Sequence, residues 1–384
     1  MGIINDIFRT YGPDYLLRYA KTMPMEHRKV INAMIHCRTE DNGTVIYQCD
    51  ACGETHAVHR SCGNRHCPGC QHRNTYQWLE KQIARQLPGH HFMLTFTVPE
   101  PLRMFLRAHQ RIGYGALFGA SSGALKTLAA DPKFFGTDIP GFFGVLHTWG
   151  RQLHYHPHIH YIVPGGALAV DHQQWHPSSL GFYLPVKALS TIFRAKFRDR
   201  MKAAGLFELI PAEVWQIDWN VNCQPVGTAE ATLNYLAPYV FKVAITDHRI
   251  VGVEAGNVTF RYKKSHSQRL RTMTLEAMEF IRRFLQHVLP TGFIKVRYYG
   301  VLSPTFSVPI EEVKATVEIA SGFTLISPEP NTEAPNRHRC PHCGGTLRYL
   351  RSVRLPRPAP LRDTAQQIHA MRPAMLSAAL NSGP

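Results

Sequence analysis

From residue 155 to residue 161 the chain alternates, with Tyr155, Pro157, Ile159 and Tyr161 interleaved by His156, His158 and His160. A period of two is that of a strand whose apolar side faces a core. The same reasoning predicts strands in FFGVLHTWG (142–150), HPHIHYIVPGGAL (156–168), HHFMLTFTVP ending at Pro99, and VTFRYKK. Helical periodicity covers residues 1–36, interrupted at Pro24. It returns at 74–87, which ends before Pro88 and Gly89, and at 101–130, read as two helices, the second small and Ala-rich. Residues 185–207 form a strongly amphipathic helix, and 274–289 another. Residues 228–245 open as a helix with Thr228 at its N-cap and a kink at Pro238. Residues 37–72 have little periodicity. The last fifty residues hold a cysteine pair and then a Pro- and Arg-rich tail expected to be mobile. No internal repeat is present.

Composition narrows the class. The 384 residues carry a formal net charge of +16 and 44% hydrophobic residues, which excludes a largely disordered chain. No apolar run suits a transmembrane helix. The N-terminus MGIINDIF lacks the pattern of a signal peptide, and Asp6 breaks the myristoylation pattern. The expectation is a soluble, cytoplasmic protein whose partner is a polyanion.

Cysteines and histidines sharpen the picture because they cluster. Cys49-x2-Cys52 and Cys67-x2-Cys70 are 14 residues apart, and together they suit one tetrahedral Zn²⁺. Cys37, Cys62, His66, His56 and His59 remain for a second N-terminal site. The rival reading, a disulfide framework, calls for an oxidising compartment. Four thiolates leave no open position, so the zinc is expected to be structural. Cys340-Pro-His-Cys343 is half a zinc ribbon whose further ligands are sought nearby, at His338 and His342. Cys223 reads as ordinary packing.

His154, His156, His158 and His160 share one strand face at roughly 6.5–7 Å spacing, so neighbouring imidazoles can converge on one divalent metal. The rival is a solvated histidine face. Tyr235 and Tyr239 are i and i+4, so on a helix both phenols point the same way. Alone, such a pair is ordinary core packing. Beside a metal-binding strand, a phenol becomes a nucleophile for a polarised phosphodiester, with Lys242 stabilising the oxyanion.

Three stretches coincide in a fixed order: SCGNRHCPGCQ (61–71), WGRQLHYHPHIHYIVPGGAL (149–168) and YLAPYVFKVAI (235–245). Together they resemble the transposases of rolling-circle insertion sequences, the two-tyrosine branch of the HUH (His-hydrophobic-His) nucleases with an N-terminal zinc-binding domain. The resemblance extends over about residues 10–305. It implies an α+β fold, with an antiparallel sheet flanked by helices, histidines on a central strand and tyrosines on a neighbouring helix. It also implies that His158 and His160 hold Mg²⁺ or Mn²⁺, with His156 ahead of Gln152 as third ligand. His156 could also replace His160. Tyr235 and Tyr239 are the implied nucleophiles.

The expected organisation is an N-terminal helix and zinc module over 1–90, a nuclease domain over 91–250, a DNA-contacting helical region over 251–330, and a Cys-pair and basic tail over 331–384. The expected activity is nicking of single-stranded element ends through 5′-phosphotyrosine links and transfer to a target. No phosphate-binding GxxxxGK[ST] loop is present, so unwinding falls to a host helicase or replication. Arg194, Lys196, Arg198, Lys202, Lys263 and Lys264 are the expected DNA contacts. The rivals are a zinc-dependent DNA-binding regulator and a metal hydrolase using the histidine strand with water.

Overall fold

The computed structural model describes residues 2–137, 139–228, 244–264, 269–322 and 339–354. In chain order its first elements are α1 (Ile3–Arg18), α2 (Met25–Ile35), β1 (Thr44–Cys49), β2 (Thr55–His59), α3 (Gln71–Arg85) and β3 (His90–Thr97). There follow α4 (Leu102–Ala108), α5 (Gln110–Ala129), β4 (Phe142–Trp149), β5 (Tyr155–Pro164), β6 (Gly166–Leu168), β7 (Trp175–Pro177), α6 (Val186–Ala203) and β8 (Asn220–Thr228). The last are β9 (Ile250–Glu254), β10 (Asn257–Lys263), β11 (Leu270–Glu276), α7 (Ala277–Leu285), β12 (Val296–Tyr299), α8 (Ile310–Ser321) and β13 (Leu347–Val353). The fold is α+β. Among the described residues, no helix is long and apolar enough to cross a membrane.

The described residues form two compact units, each discontinuous in sequence. One draws on Met1–His72, Ile245–Val288 and Thr332–Pro384, the other on Arg73–Ala244 and Leu289–Asn331. The units therefore interleave along the chain.

The second unit is built on a five-stranded antiparallel sheet in the order β12-β4-β5-β3-β8. The alternation along β5 decides its faces. Tyr155, Pro157, Ile159 and Tyr161 are buried, while His156, His158 and His160 are half-buried. The buried side packs with Phe92, Leu94, Phe96 and Leu146 against α5 and α6. α6 offers Leu189, Phe193, Phe197 and Met201 at four-residue spacing, a single apolar stripe. The small residues of α5 let it come close to α6: a Cβ on Gly119 would run into the Arg200 guanidinium.

Two tyrosines of β5 fix its register against α5. Tyr155 Oη lies 2.6 Å from Tyr114 Oη, and Tyr161 Oη lies 2.7 Å from Ser121 Oγ, all buried. A one-residue slip would bury the histidines and strand both phenols, so these contacts aim the histidines at the other face. That other face is apolar at one end, where Met93, Val145 and Ile162 pack with side chains of α3 and α8. Its remaining end carries the histidines.

In the first unit α1, α2 and α7 pack together, with Phe8 edge-on to Phe284 at 5.1 Å. β9, β10 and β11 form an antiparallel sheet, and β13, β1 and β2 form a second. β13 lies within the stretch expected as a Cys-pair and basic tail. Residues 347–353 are a strand because β1 offers them a complete antiparallel partner, Cys49↔Leu347 through Thr44↔Val353.

Candidate functional site

β4 and β5 form a hairpin closed by Gly150 N–H to His154 O at 2.9 Å, with the buried Leu153 held left-handed in the turn (φ 61°). A register shift between His147 and Trp149 then sets His147 of β4 directly opposite His158 of β5, and Val145 opposite His160. On the other side of β5, Thr95 and Thr97 of β3 oppose His160 and His158. Side chains opposite one another share a face. The outcome is a trio, His147, His158 and His160, with one ring nitrogen from each within 4.8 Å of the others.

The tautomers suit a metal. His158 Nδ1 lies 2.7 Å from the His156 carbonyl, which can only accept, so Nδ1 carries the proton and Nε2 keeps its lone pair. His160 Nδ1 lies 2.9 Å from Thr95 Oγ1, the outer partner that fixes a ligating ring. Burial holds His158 down at about 4 and His160 well below the usual histidine range. Both are therefore neutral near pH 7 and available as donors.

The trio differs from the expected set in its third member. His156 stands outside the trio, and its buried Nδ1 has no hydrogen-bond partner among the described residues. A cross-strand neighbour is roughly 4.5–5.5 Å away at Cβ. The His156 ring lies 5.2 Å from that of His158, whereas His147 lies beside both His158, at 5.4 Å, and His160, at 4.8 Å. Gln152 lies in the turn after β4. The signal for His147 was a polar residue in an apolar strand that folds back on the histidine strand.

Trp149 stacks on His147 at 4.7 Å, and the Lys295 ammonium lies 5.1 Å over the Trp149 ring. An aromatic face and a cation thus border the trio. Asn220 and Asn222 of β8 continue its rows across Thr97 and Thr95. Tyr235, Tyr239 and Lys242 fall at 229–243, outside the described residues, as does the helix expected over 228–245. Thr228 itself closes β8.

The cysteines assemble differently from their spacing. Cys37, Cys62, Cys67 and Cys70 form one cluster; Cys49, Cys52, Cys340 and Cys343 form another. The expected pairing of Cys49/Cys52 with Cys67/Cys70 is therefore corrected. Spacing marks a two-sulfur knuckle but does not say which knuckles share an ion, and β1 carries Cys49 to the β13 side. His66 belongs to neither cluster, and Cys49 and Cys52 stand beside Cys340 and Cys343, for which further ligands were sought at His338 and His342. His338 lies outside the described residues.

In the first cluster Cys37 and Cys62 each lie 3.5 Å from Cys70, and Cys67 lies 3.7 Å from Cys37. With Zn–S bonds of about 2.3 Å a tetrahedron has edges of about 3.8 Å, so the sulfurs fit zinc. Hydrogen bonds from Cys37, Cys62 and Cys67 hold Cys70 far below the usual thiol range, as a thiolate. Asn5 Nδ2, 3.5 Å from Cys67 Sγ, braces the cluster from α1.

Of the expected DNA contacts, Arg194 donates to the Ile217 carbonyl at 2.8 Å, and the Lys196 stem lies against Gly123. Arg198 and Lys202 are exposed on α6, and Lys263 and Lys264 at the end of β10.

Comparison with known proteins now adds to the geometry. Residues 7–98 match the family described as "Transposase zinc-binding domain", and residues 141–308 the family described as "Putative transposase". The chain is 37% identical over 356 residues to "Putative transposase y4qJ" of Sinorhizobium fredii, covering 88% of each chain. It belongs to the IS91/IS801 family of transposases. The transposase for insertion sequence element IS801 of Pseudomonas savastanoi pv. phaseolicola is 29% identical over 299 residues, covering 72% of this chain and 70% of its own. No solved structure matches the chain at a significant level. The matched transposase region holds all three histidines, and the zinc-binding match holds the whole first cysteine cluster. This transposase is thus a DNA-processing enzyme, and its zinc-binding domain and cysteine clusters support structural Zn²⁺.

Proposed function

We propose that this transposase nicks single-stranded DNA at element ends by tyrosine attack and transfers the strand to a target. The observation that carries this reading is the trio His147, His158 and His160, three imidazoles converging at one end of a sheet face. A divalent cation held there would act as a Lewis acid on the scissile phosphate. Of Mg²⁺ and Mn²⁺, an all-imidazole donor set favours Mn²⁺, because Mg²⁺ prefers oxygen ligands.

The chain's own residues supply the rest. The phenol of Tyr235 or Tyr239 loses its proton and its oxygen bonds to phosphorus. The P–O3′ bond breaks, the 3′-oxygen takes up a proton, and a 5′-phosphotyrosine results. Attack by the 3′-hydroxyl of a target strand reverses the step and frees the phenol, so the ester's energy is kept. Two tyrosines allow two such links at once. Lys242 steadies the charge on the phosphate oxygens. The two tyrosines follow within eleven residues of the end of β8, a strand of the same sheet. Lys295, held over the Trp149 ring, offers a cation for the DNA backbone. Arg198, Lys202, Lys263 and Lys264 provide further phosphate contacts, with Arg194 and Lys196 serving α6. A host helicase or replication exposes the single strand.

The test is a labelled end-derived oligonucleotide incubated with Mn²⁺ or Mg²⁺ and resolved on a denaturing gel. A metal-dependent covalent adduct is expected from the wild type and none from Tyr235→Phe/Tyr239→Phe. Salt-sensitive binding without cleavage would point to a regulator, and cleavage without adduct to a hydrolase using water.

A further inference from the structure

We propose that Cys49, Cys52, Cys340 and Cys343 hold a second Zn²⁺, so that the zinc module is completed by the far end of the chain. The matched zinc-binding region ends at residue 98 and does not include the C-terminal pair.

The sulfurs are spaced for a tetrahedral ion. Cys49 Sγ lies 3.4 Å from Cys343 Sγ, Cys52 Sγ lies 3.8 Å from Cys340 Sγ, and all four are within 4.8 Å of one another. A Zn–S₄ tetrahedron has edges of about 3.8 Å.

A second, independent observation is that the two Cys-x-x-Cys loops have the same backbone. In the first, Cys49 N–H donates to Glu54 O at 2.9 Å and Gly53 N–H donates to Cys49 O at 2.9 Å. In the second, Cys340 N–H donates to Gly345 O at 2.8 Å and Gly344 N–H donates to Cys340 O at 2.9 Å. Each loop thus pairs its first cysteine with the residues four and five positions on. Gly53 and Gly344, each directly after the second cysteine, have the same left-handed φ of 73°. Two copies of one knuckle, each offering two sulfurs to a shared centre, make a four-ligand site with no position left open.

The surroundings support it. Asp50 N–H donates to Thr346 O at 3.0 Å, linking one knuckle to the strand that follows the other. β13 then runs the length of β1. His56 Nε2 lies 3.2 Å from Cys340 Sγ and is placed to donate to a thiolate. A two-strand hairpin is marginal by itself, so a metal that pins a third strand to β1 and β2 stabilises all three. Cys52 and Cys343 are exposed, whereas Cys37 and Cys67 of the first cluster are buried. The second ion is therefore the first to leave under chelation.

The measurement is the metal content of the full-length chain, purified under reducing conditions, by native and elemental mass spectrometry. Two zinc ions per wild-type chain are expected, lost in two steps as chelator is added. One ion per chain is expected in Cys340→Ser/Cys343→Ser, with the slowly released ion retained. The two-step loss from the wild type is a readout that needs no mutation and so does not depend on how the variant folds. A single zinc in the wild type would overturn the proposal. So would two zinc ions in the variant, or Cys49–Cys343 and Cys52–Cys340 disulfides recovered from the reduced preparation.

Discussion

His147 and His158 face each other across the β4–β5 ladder, their rings edge-to-face at 5.4 Å. With His160, 4.8 Å from His147 in the same count, they form the only all-histidine trio among the described residues. His147→Ala should therefore weaken Mn²⁺ binding by more than the roughly 10- to 100-fold typical of losing an outer partner. Adduct formation should fall with it. His156→Ala should leave Mn²⁺ affinity within a few-fold of wild type. Titration calorimetry checks both, and the reverse order of effects would restore His156 as the ligand.

Thr95 acts on the metal through His160. Its hydroxyl lies 2.9 Å from His160 Nδ1 and fixes which nitrogen faces the centre. Thr95→Val keeps the shape and removes the oxygen, and should cost roughly 10- to 100-fold in Mn²⁺ affinity. Thr95→Ser should recover most of it. Equal affinities in all three proteins would show that the hydroxyl does not position the ring.

Acid should destabilise the unit that holds the histidine trio. Burial lowers His156 to about 3 and His158 and His91 to about 4, against an unfolded value near 6.5. Above pH 6.5 neither state binds these protons. Below it the unfolded chain takes them up while the folded chain resists, so stability falls as pH drops from about 6.5 toward 4. His156→Gln removes one such group, and its urea midpoint should decline less steeply over that range than the wild type's. Zinc loss contributes equally to both, so parallel declines would contradict the assignment.

Gly144 lies opposite Tyr161 on the core face of β4 and β5, and a Cβ there would enter the Tyr161 ring. Tyr161 cannot yield easily, being bonded to Ser121 and edge-packed against Phe96 and Phe142. Gly144→Ala should cost about 1–3 kcal/mol by overpacking. An unchanged urea midpoint would show that the strand pair has room to spare.

Much of this was legible in the sequence, for physical reasons that also mark the limit. The alternation of β5 assigns Ile159 and Tyr161 to the core and His158 and His160 to the other face, because a strand has a fixed period. The stripe of α6 is equally plain at Leu189, Phe193 and Phe197. His147 was not, because it comes opposite His158 only through a five-residue turn with Leu153 left-handed followed by a one-residue register shift between His147 and Trp149. The cysteine pairing was also hidden. Cys49-x2-Cys52 closes with a knuckle almost 300 residues later, and spacing carries no information about such distant partners. The same pairing turns Leu347–Val353 from an expected tail into a strand.

The proposed reaction makes a tyrosine–phosphate bond beside the histidine trio. The direct measurement is peptide mapping, by mass spectrometry, of the residue bound to an end-derived oligonucleotide after reaction with Mn²⁺. The account predicts a nucleotide on Tyr235 or Tyr239 through a 5′-phosphate, and none when His147 and His158 are replaced by alanine. A DNA adduct on any other residue, or one undiminished in that histidine variant, would contradict it.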